Sequence, residues 1–165
     1  MSAQLGPGAP TNSGEAFAYL QRLKDGASID DLKVLALTEA IGLELYEQMA
    51  TKTDNPEVQA LLRRAGREEL GHAHRVSKAI EILTGEPFPI PAIEDHPFYT
   101  PMDSGPITKE ALLGIAQGEF AGEEMYKGVA SRFSDPEVIE LFALNGKEER
   151  QHGERLQQIV ELLYA

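Results

Sequence analysis

Apolar residues recur at alternating steps of three and four along most of the chain, a spacing that predicts amphipathic α-helices. A short pattern from Gly14 to about Lys24 predicts a first helix that stops near Asp25 and Gly26. No segment alternates with the period of a β-strand, so the predicted fold class is all-α. Capping residues and prolines delimit four long helices, from Ser28 or Asp30 to Thr53, Pro56 to Thr84, Thr108 to Ser134 and Pro136 almost to Ala165.

The second half of the chain repeats the first at an offset of 80 residues, without any insertion. Tyr46 returns as Tyr126, and His72 returns as His152. We interpret the chain as a duplicated helical hairpin whose two copies pack about a pseudo-twofold axis.

The connection between the two predicted hairpins, residues 86–107, contains six prolines and is not expected to be helical. At about 3.3 Å per residue it can run the length of a bundle whose helices measure about 37 Å. The prediction is therefore a four-helix bundle with one long crossover, which together with the short first helix forms a domain over residues 14–165. Residues 1–13 are predicted to be a flexible arm. Within the crossover, His96 is either a solvated loop histidine or a ligand.

Glutamates and histidines interrupt the apolar stripes of the long helices at positions where a bundle normally has leucine. The second stripe passes through Glu69 and His72, and the fourth passes through Glu149 and His152. The first and third helices each carry a glutamate on the apolar face as well. The buried polar set predicted from the four helices is Glu39, Glu69, His72, Glu119, Glu149 and His152.

These six side chains are also predicted to lie at one level of the bundle. Glu39 precedes Pro56 by 17 residues, whereas Glu69 and His72 follow it by 13 and 16 residues. At about 1.5 Å per residue, the three heights differ by only a few ångströms. The same counts apply around Pro136 in the second half, so all six side chains can meet in one layer.

Four buried carboxylates would be strongly destabilising by themselves, because burial disfavours each charge and like charges repel one another. Two divalent cations would balance the four charges, and two imidazoles would complete a mixed oxygen and nitrogen ligand set. Such a set suits iron or manganese, with zinc as an alternative. The sequence has no cysteine, which excludes disulfides, thiolate zinc sites and cysteine-ligated iron.

Three further residues are candidates for roles in the reaction. Glu123 lies one turn after Glu119 and has Leu43 as its repeat counterpart, so it is either a seventh metal ligand or a carboxylate just outside the ligands. Tyr46 and Tyr126 lie one to two turns beyond the glutamates, where their hydroxyls can hydrogen-bond to ligand carboxylates. A radical or electron-relay role for the two tyrosines is the alternative.

The remaining charges are predicted to lie outside the core. Glu68 and Glu148 fall off the stripes and are interpreted as surface residues or as partners for Arg75 and Arg155. The formal net charge of -12 argues against nucleic acid or an anionic membrane as a partner. No apolar run approaches the roughly 20 residues that span a bilayer, so we predict a cytoplasmic protein.

One glutamate from each of two helices, with Glu-x-x-His from each of the other two, resembles the ferritin-like di-iron carboxylate superfamily. The resemblance covers residues 30–164. Within that superfamily, the segments EELGHAHR and EERQHGER, the interval from Glu39 to Tyr46 and the additional Glu123 make the chain most similar to the rubrerythrin bundle.

This resemblance implies that the six buried residues bind two iron ions, with two carboxylates bridging them. It also implies a homodimeric peroxidase that reduces hydrogen peroxide or dioxygen at this centre. Because the chain lacks the cysteines of a rubredoxin domain, a separate electron-donor protein is expected.

Three other functions remain open at this stage. The chain could be a ferroxidase that binds iron for storage or detoxification. It could activate oxygen for an organic substrate, which would require a sizeable pocket beside the metals. A metal-free structural bundle is the last alternative, and it would require the carboxylates to be exposed to solvent.

Overall fold

The computed structural model describes residues 5–24 and 27–165, and over that range it is helical without any strand. A short 3-10 helix, Ile93–Asp95, lies within the crossover. The predicted all-α bundle is confirmed. The α-helices are α1 (Ser13–Leu20), α2 (Ile29–Ala50), α3 (Pro56–Thr84), α4 (Lys109–Ala130) and α5 (Pro136–Tyr164).

The long helices begin next to the capping residues that were predicted from the sequence. Ser28 caps α2 and forms a reciprocal capping box with Asp31. Asn55 and Asp135 cap α3 and α5, where each side chain accepts hydrogen bonds from two backbone N–H groups of the first turn. Gly85 ends α3 in the left-handed conformation, with φ 76°. The equivalent turns of the two hairpins are therefore built by the same local chemistry.

The N-terminal region differs from the prediction in the length of its helix. α1 ends at Leu20 instead of Lys24, and a turn follows in which Leu23 remains buried. Apolar spacing alone could not distinguish this turn from another helical turn. The predicted stop at Asp25 and Gly26 lies outside the described residues, as do residues 1–4 of the predicted arm.

α2 and α3 form one helical hairpin, α4 and α5 form the other, and the two hairpins pack together mainly through α3 and α5. Across the described residues, the backbones of α2 and α4 make no comparable contact. α1 packs against α2. One flank of α2 is therefore covered, while the side that faces α4 stays open.

The crossover follows α2 over its length, as the proline-rich sequence predicted. Near its middle, the ring of His96 bonds to the carbonyl oxygen of Leu37 through Nε2, at 2.8 Å. Near its end, Lys52, two residues beyond α2, pairs with Asp103 at 2.6 Å. The reading of His96 as a solvated loop histidine is wrong, because Nδ1 also accepts the backbone N–H groups of Phe98 and Tyr99. The ring is buried and fixes the crossover against α2.

Two apolar clusters fill the bundle, one on each side of the predicted polar layer. One cluster contains Leu35 and Ile80 of the first hairpin with Phe142 of the second. The other contains Leu62 and Leu156. The polar layer is thus enclosed between two apolar cores. None of the helices described is long and apolar enough to cross a membrane.

Candidate metal centre

The structure brings the six predicted side chains together at mid-height of the bundle. Their ligand atoms form two overlapping groups, and within each group all the atoms lie within 4.8 Å of one another. Two glutamates, Glu69 and Glu149, belong to both groups and therefore lie between two possible cation positions. One group contains Glu39, Glu69, His72 and Glu149, and the other contains Glu69, Glu119, Glu149 and His152.

All but one of these side chains are removed from solvent. Both histidines have no exposed surface, and Glu39, Glu69 and Glu149 are also buried. Only Glu119 keeps appreciable exposure, with 12% of its side chain accessible. A metal-free structural bundle would require these carboxylates to be exposed to solvent, and they are not.

His72 provides a direct test of whether these residues fit a metal ion. Its Nδ1 atom lies 3.2 Å from Glu149, 3.6 Å from Glu69 and 3.7 Å from Glu39. This nitrogen is the one buried side-chain nitrogen or oxygen in the described range that has no hydrogen-bond partner. A buried imidazole nitrogen that faces three carboxylates without a bond is suited to a shared cation.

His152 occupies the equivalent position in the second group. Its Nδ1 atom lies 3.0 Å from Glu69 and 3.7 Å from Glu119. The rings of His72 and His152 stack with their centroids 5.2 Å apart. The two halves thus present the same donor atoms side by side, and Glu69 contacts both histidines.

A glutamate from the opposite hairpin holds the outer nitrogen of each histidine. His72 Nε2 lies 3.1 Å from Glu148, and His152 Nε2 lies 2.9 Å from Glu68. With the proton on Nε2, each ring donates to its glutamate and leaves Nδ1 free to bind a cation. Sequence reasoning missed these contacts, although the additional glutamate directly before each Glu-x-x-His motif was a signal.

Arginines in turn hold these two outer glutamates. Arg75 bonds to Glu148 at 2.7 Å, and Arg155 bonds to Glu68 at 2.9 Å. Of the two readings offered for these glutamates, the pairing with arginine is the one observed. Because Arg75 and Glu148 belong to different hairpins, as do Arg155 and Glu68, the pairs also join the two halves.

Asn145 is the main break in this symmetry, since its repeat counterpart is Ala65. Its amide donates to the backbone oxygen of His72 at 3.3 Å and accepts from Arg75 at 2.8 Å. Its place on the apolar stripe was a signal that sequence reasoning passed over. The surroundings of His72 are therefore more polar and more tightly bonded than those of His152.

Both tyrosines donate to cluster glutamates of the other hairpin. Tyr126 donates to Glu39 at 2.6 Å, and Tyr46 donates to Glu119. Both rings are buried. The contacts agree with the hydrogen-bonding interpretation, and they are side-chain bridges across the gap between α2 and α4. The radical or relay role stays a prediction.

Two repeated glycines let the shared glutamates approach the neighbouring helix. A Cβ atom at Gly42 would lie 2.8 Å from the side chain of Glu69, and one at Gly122 would lie 2.9 Å from Glu149. Contacts this short would displace the carboxylates. The repetition of these glycines is thus explained by the site.

The structure does not bring Glu123 into the cluster. Its carboxylate pairs with Lys127 at 3.0 Å and with Arg150 at 3.1 Å. These ion pairs hold the pKa of Glu123 below its usual range. A step of four residues turns Glu123 about 40° around the helix from Glu119, toward the rim. We therefore leave Glu123 out of the ligand set.

The charges within the cluster shift one another's protonation in opposite directions. Burial and the nearby charge of Glu69 raise the pKa of Glu39 to about 7. Burial and the charges of Glu69 and Glu119 raise the pKa of Glu149. Burial would also raise the pKa of Glu69, but the hydrogen bond to His152 and the nearby rings of both histidines outweigh this effect and lower it.

The histidines show the opposite response to the same crowding. Burial favours the neutral ring, but the surrounding carboxylates, led by Glu119 and Glu68, raise the pKa of His152 to about 11. The pKa of His72 is raised as well, against the effect of burial, by Glu148 and Glu149. The site thus concentrates negative charge and attracts positive charge, which protons or metal ions can supply.

A helical bundle in which two helices supply Glu-x-x-His and two others supply a glutamate each has the architecture of ferritin-like metal proteins. The sequence model of the rubrerythrin family matches residues 36–160. The chain belongs to the rubrerythrin family.

The comparison with solved structures agrees on the fold. A hypothetical protein from Pyrococcus furiosus, Pfu-1136390-001, superimposes with a TM-score of 0.66 over 87% of this chain and 94% of that chain. At 19% sequence identity, this likeness concerns the fold alone. No curated protein sequence gives a significant match.

Proposed function

We propose that the protein is a non-haem di-iron oxidoreductase that reduces hydrogen peroxide, or dioxygen, with electrons from an external donor protein. The observation that carries this proposal is the unbonded Nδ1 atom of His72, which is buried and faces three carboxylates. Its counterpart on His152 faces a second, overlapping group. Two neighbouring cations would satisfy both groups at once.

The donor set assigns each cation its ligands. His72 and Glu39 would hold one ion, and His152 and Glu119 would hold the other, while Glu69 and Glu149 would bridge them. Four carboxylates would balance two divalent cations. Iron, manganese and zinc all accept these ligands, but zinc has no redox chemistry, and we propose iron. Bound iron would supply the two electrons that reduce one peroxide molecule, with two protons, to two water molecules.

The chain's own residues would hold this centre in place and keep protons near it. The Tyr126 hydroxyl donates to Glu39, and the Tyr46 hydroxyl donates to Glu119, so each carboxylate that is not shared is held by a proton donor from the other hairpin. Glu148 and Glu68 orient the histidine rings. In this proposal, Tyr46 and Tyr126 are the side chains placed to pass a proton toward the centre.

The remaining parts of the proposal rest on the resemblance to rubrerythrins. They are a homodimer and a separate electron-donor protein, whereas a cytoplasmic location is proposed from the sequence pattern alone. A ferroxidase that oxidises iron for storage or detoxification is the alternative, and the same donor set supports it. Sizing separates the two functions, because a storage protein would assemble into a large shell.

The test is metal analysis and anaerobic iron(II) titration of the purified protein, followed by mixing of the reduced protein with peroxide. We expect two iron ions per chain and rapid oxidation by a stoichiometric amount of peroxide. Absence of stoichiometric iron binding would refute the proposal. Slow reaction with peroxide combined with sustained oxidation of added iron(II) by dioxygen would favour the ferroxidase.

A further inference from the structure

A cleft of about 770 Å³ opens between α2 and α4, where the two backbones stay apart. Its floor includes all four cluster glutamates, together with Tyr46. The cluster is therefore approached through this cleft.

The cleft is much larger than peroxide or dioxygen requires. A water molecule occupies roughly 30 Å³ in the liquid, so a molecule with two oxygen atoms needs roughly twice that volume. The observed volume lies instead within the range of about 300–1,000 Å³ that is typical of pockets for organic ligands. The sequence left open whether a pocket beside the cluster is large enough for an organic molecule. The structure shows a cleft of sufficient size.

The walls of the cleft are largely apolar, and its two ends differ. Beyond Tyr46 and Glu119, the wall is formed by Leu45, Ile115 and Gly118. At the other end of the cleft, α1 contributes Phe17 and Leu20. A molecule that fills the cleft would therefore place an apolar segment beside the cluster glutamates.

Polar groups occur at the α1 end, where Gln21 and Lys24 line the rim. Lys24 forms no ion pair with any residue in the ranges 5–24 and 27–165. The other charged group at this rim, Glu124, is paired with Lys127 at 2.7 Å. The α1 end therefore offers an ammonium and an amide to an anionic head group.

We propose that this cleft binds an aliphatic monocarboxylate, with its carboxylate at Lys24 and its alkyl chain extending past the metal centre toward Leu45, Ile115 and Gly118. The inference rests on the proposed function in one respect. The four glutamates of the floor would repel an anion unless two divalent cations balance their charge. An alkyl chain suits the apolar walls, and a single negative charge suits the one lysine.

Two glycines of α4 provide a matched test. A Cβ atom at either Gly114 or Gly118 would meet no atom within 4 Å, so both positions have room to begin a side chain, and replacing glycine by leucine favours the helix. Only Gly118 lines the cleft. Gly118→Leu fills the apolar end, whereas Gly114→Leu adds the same side chain to the same helix outside the cleft.

The experiment measures binding of dodecanoate, and of dodecanol as its neutral analogue, to the full-length metal-loaded protein by calorimetry. We expect saturable dodecanoate binding that Gly118→Leu weakens at least about tenfold and Gly114→Leu leaves unchanged. Lys24→Gln should weaken dodecanoate binding several-fold without changing dodecanol binding. Absence of dodecanoate binding, or equal affinities in the two leucine variants, overturns the proposal.

Two measurements on the same samples separate other outcomes. Metal content identifies the cause of a negative result: two ions per chain without dodecanoate binding refutes the cleft proposal alone, whereas absence of metal refutes the proposed function as well. Sizing tests a second copy of the chain as the occupant. A dimer that dissociates with Gly118→Leu but not with Gly114→Leu would make the cleft an interface and overturn the proposal.

Discussion

α2 and α4 are equivalent helices of the two repeats, yet their surroundings differ. Thirteen of the 22 residues of α2 are buried, against four of the 22 residues of α4. α1 and the crossover cover α2, and no described segment covers α4 in the same way. The two helices nevertheless supply equivalent glutamates, Glu39 and Glu119, to the cluster at the same level. The two repeats share the glutamates of the cluster but differ in what surrounds them, so the candidate site and the access to it are specified separately.

We expect the largest effect, on metal binding, from substitution of the two glutamates that both ligand groups share. Glu69→Ala removes a carboxylate that belongs to both ligand groups, and we expect loss of both metal ions. Glu149→Ala should behave in the same way, because it is the repeat counterpart. Metal analysis after dialysis measures the result, with Glu47→Ala on the exposed face of α2 as the control. Retention of one tightly bound ion would show that the two positions do not share this glutamate.

We expect the next largest effect, on stability, from substitution of the glycines that lie against the shared glutamates. Gly122→Ala places a methyl group 2.9 Å from Glu149, which should lower the free energy of unfolding by about 1–3 kcal/mol. Gly42→Ala should have a similar effect beside Glu69. Gly128→Ala is the control, because open space surrounds it and alanine there should stabilise the helix by about 0.5–1 kcal/mol. Denaturant unfolding measures all three variants, and a neutral Gly122→Ala would contradict the close contact.

The inequivalence of the two histidine sites is expected to depend on Asn145. Asn145→Ala matches the residue to Ala65 and removes bonds to Arg75 and to the backbone of His72, at a cost of about 1–3 kcal/mol in stability. We also expect the affinities of the two metal ions, measured in a stepwise titration, to become more alike. Unchanged and well-separated affinities would place the source of the asymmetry elsewhere.

The smallest effect is expected at Glu123. Glu123→Leu matches it to Leu43 and removes only ion pairs at the rim, so stability should change by less than about 1 kcal/mol. Metal analysis should still find both ions. Loss of one ion would restore Glu123 as a seventh ligand and contradict the geometry.

The clustering of the six polar side chains was predictable because their positions in the sequence are periodic. A glutamate on an apolar stripe, such as Glu69, is conspicuous because that face of the helix is otherwise apolar. The offset of 80 residues then identifies its counterpart, Glu149. The capped starts of the helices were predictable for a similar reason, since Asn55 next to Pro56 acts on neighbouring backbone groups.

The features that were missed depend on contacts between distant segments. The burial of His96 requires the carbonyl of Leu37, and nothing in the local sequence indicates this partner. The rim position of Glu123 depends on Arg150 of another helix. Periodicity shows which face of a helix is apolar, but it does not show what covers that face, so the exposure of α4 was not predictable.

The exchange of ligands between the hairpins has a consequence for the order of assembly. His72 needs Glu149, and His152 needs Glu69, so each possible cation position draws donors from both halves. A partly folded chain with only one hairpin formed would lack a complete binding site. In the proposed function, metal uptake would therefore report that the two halves have docked.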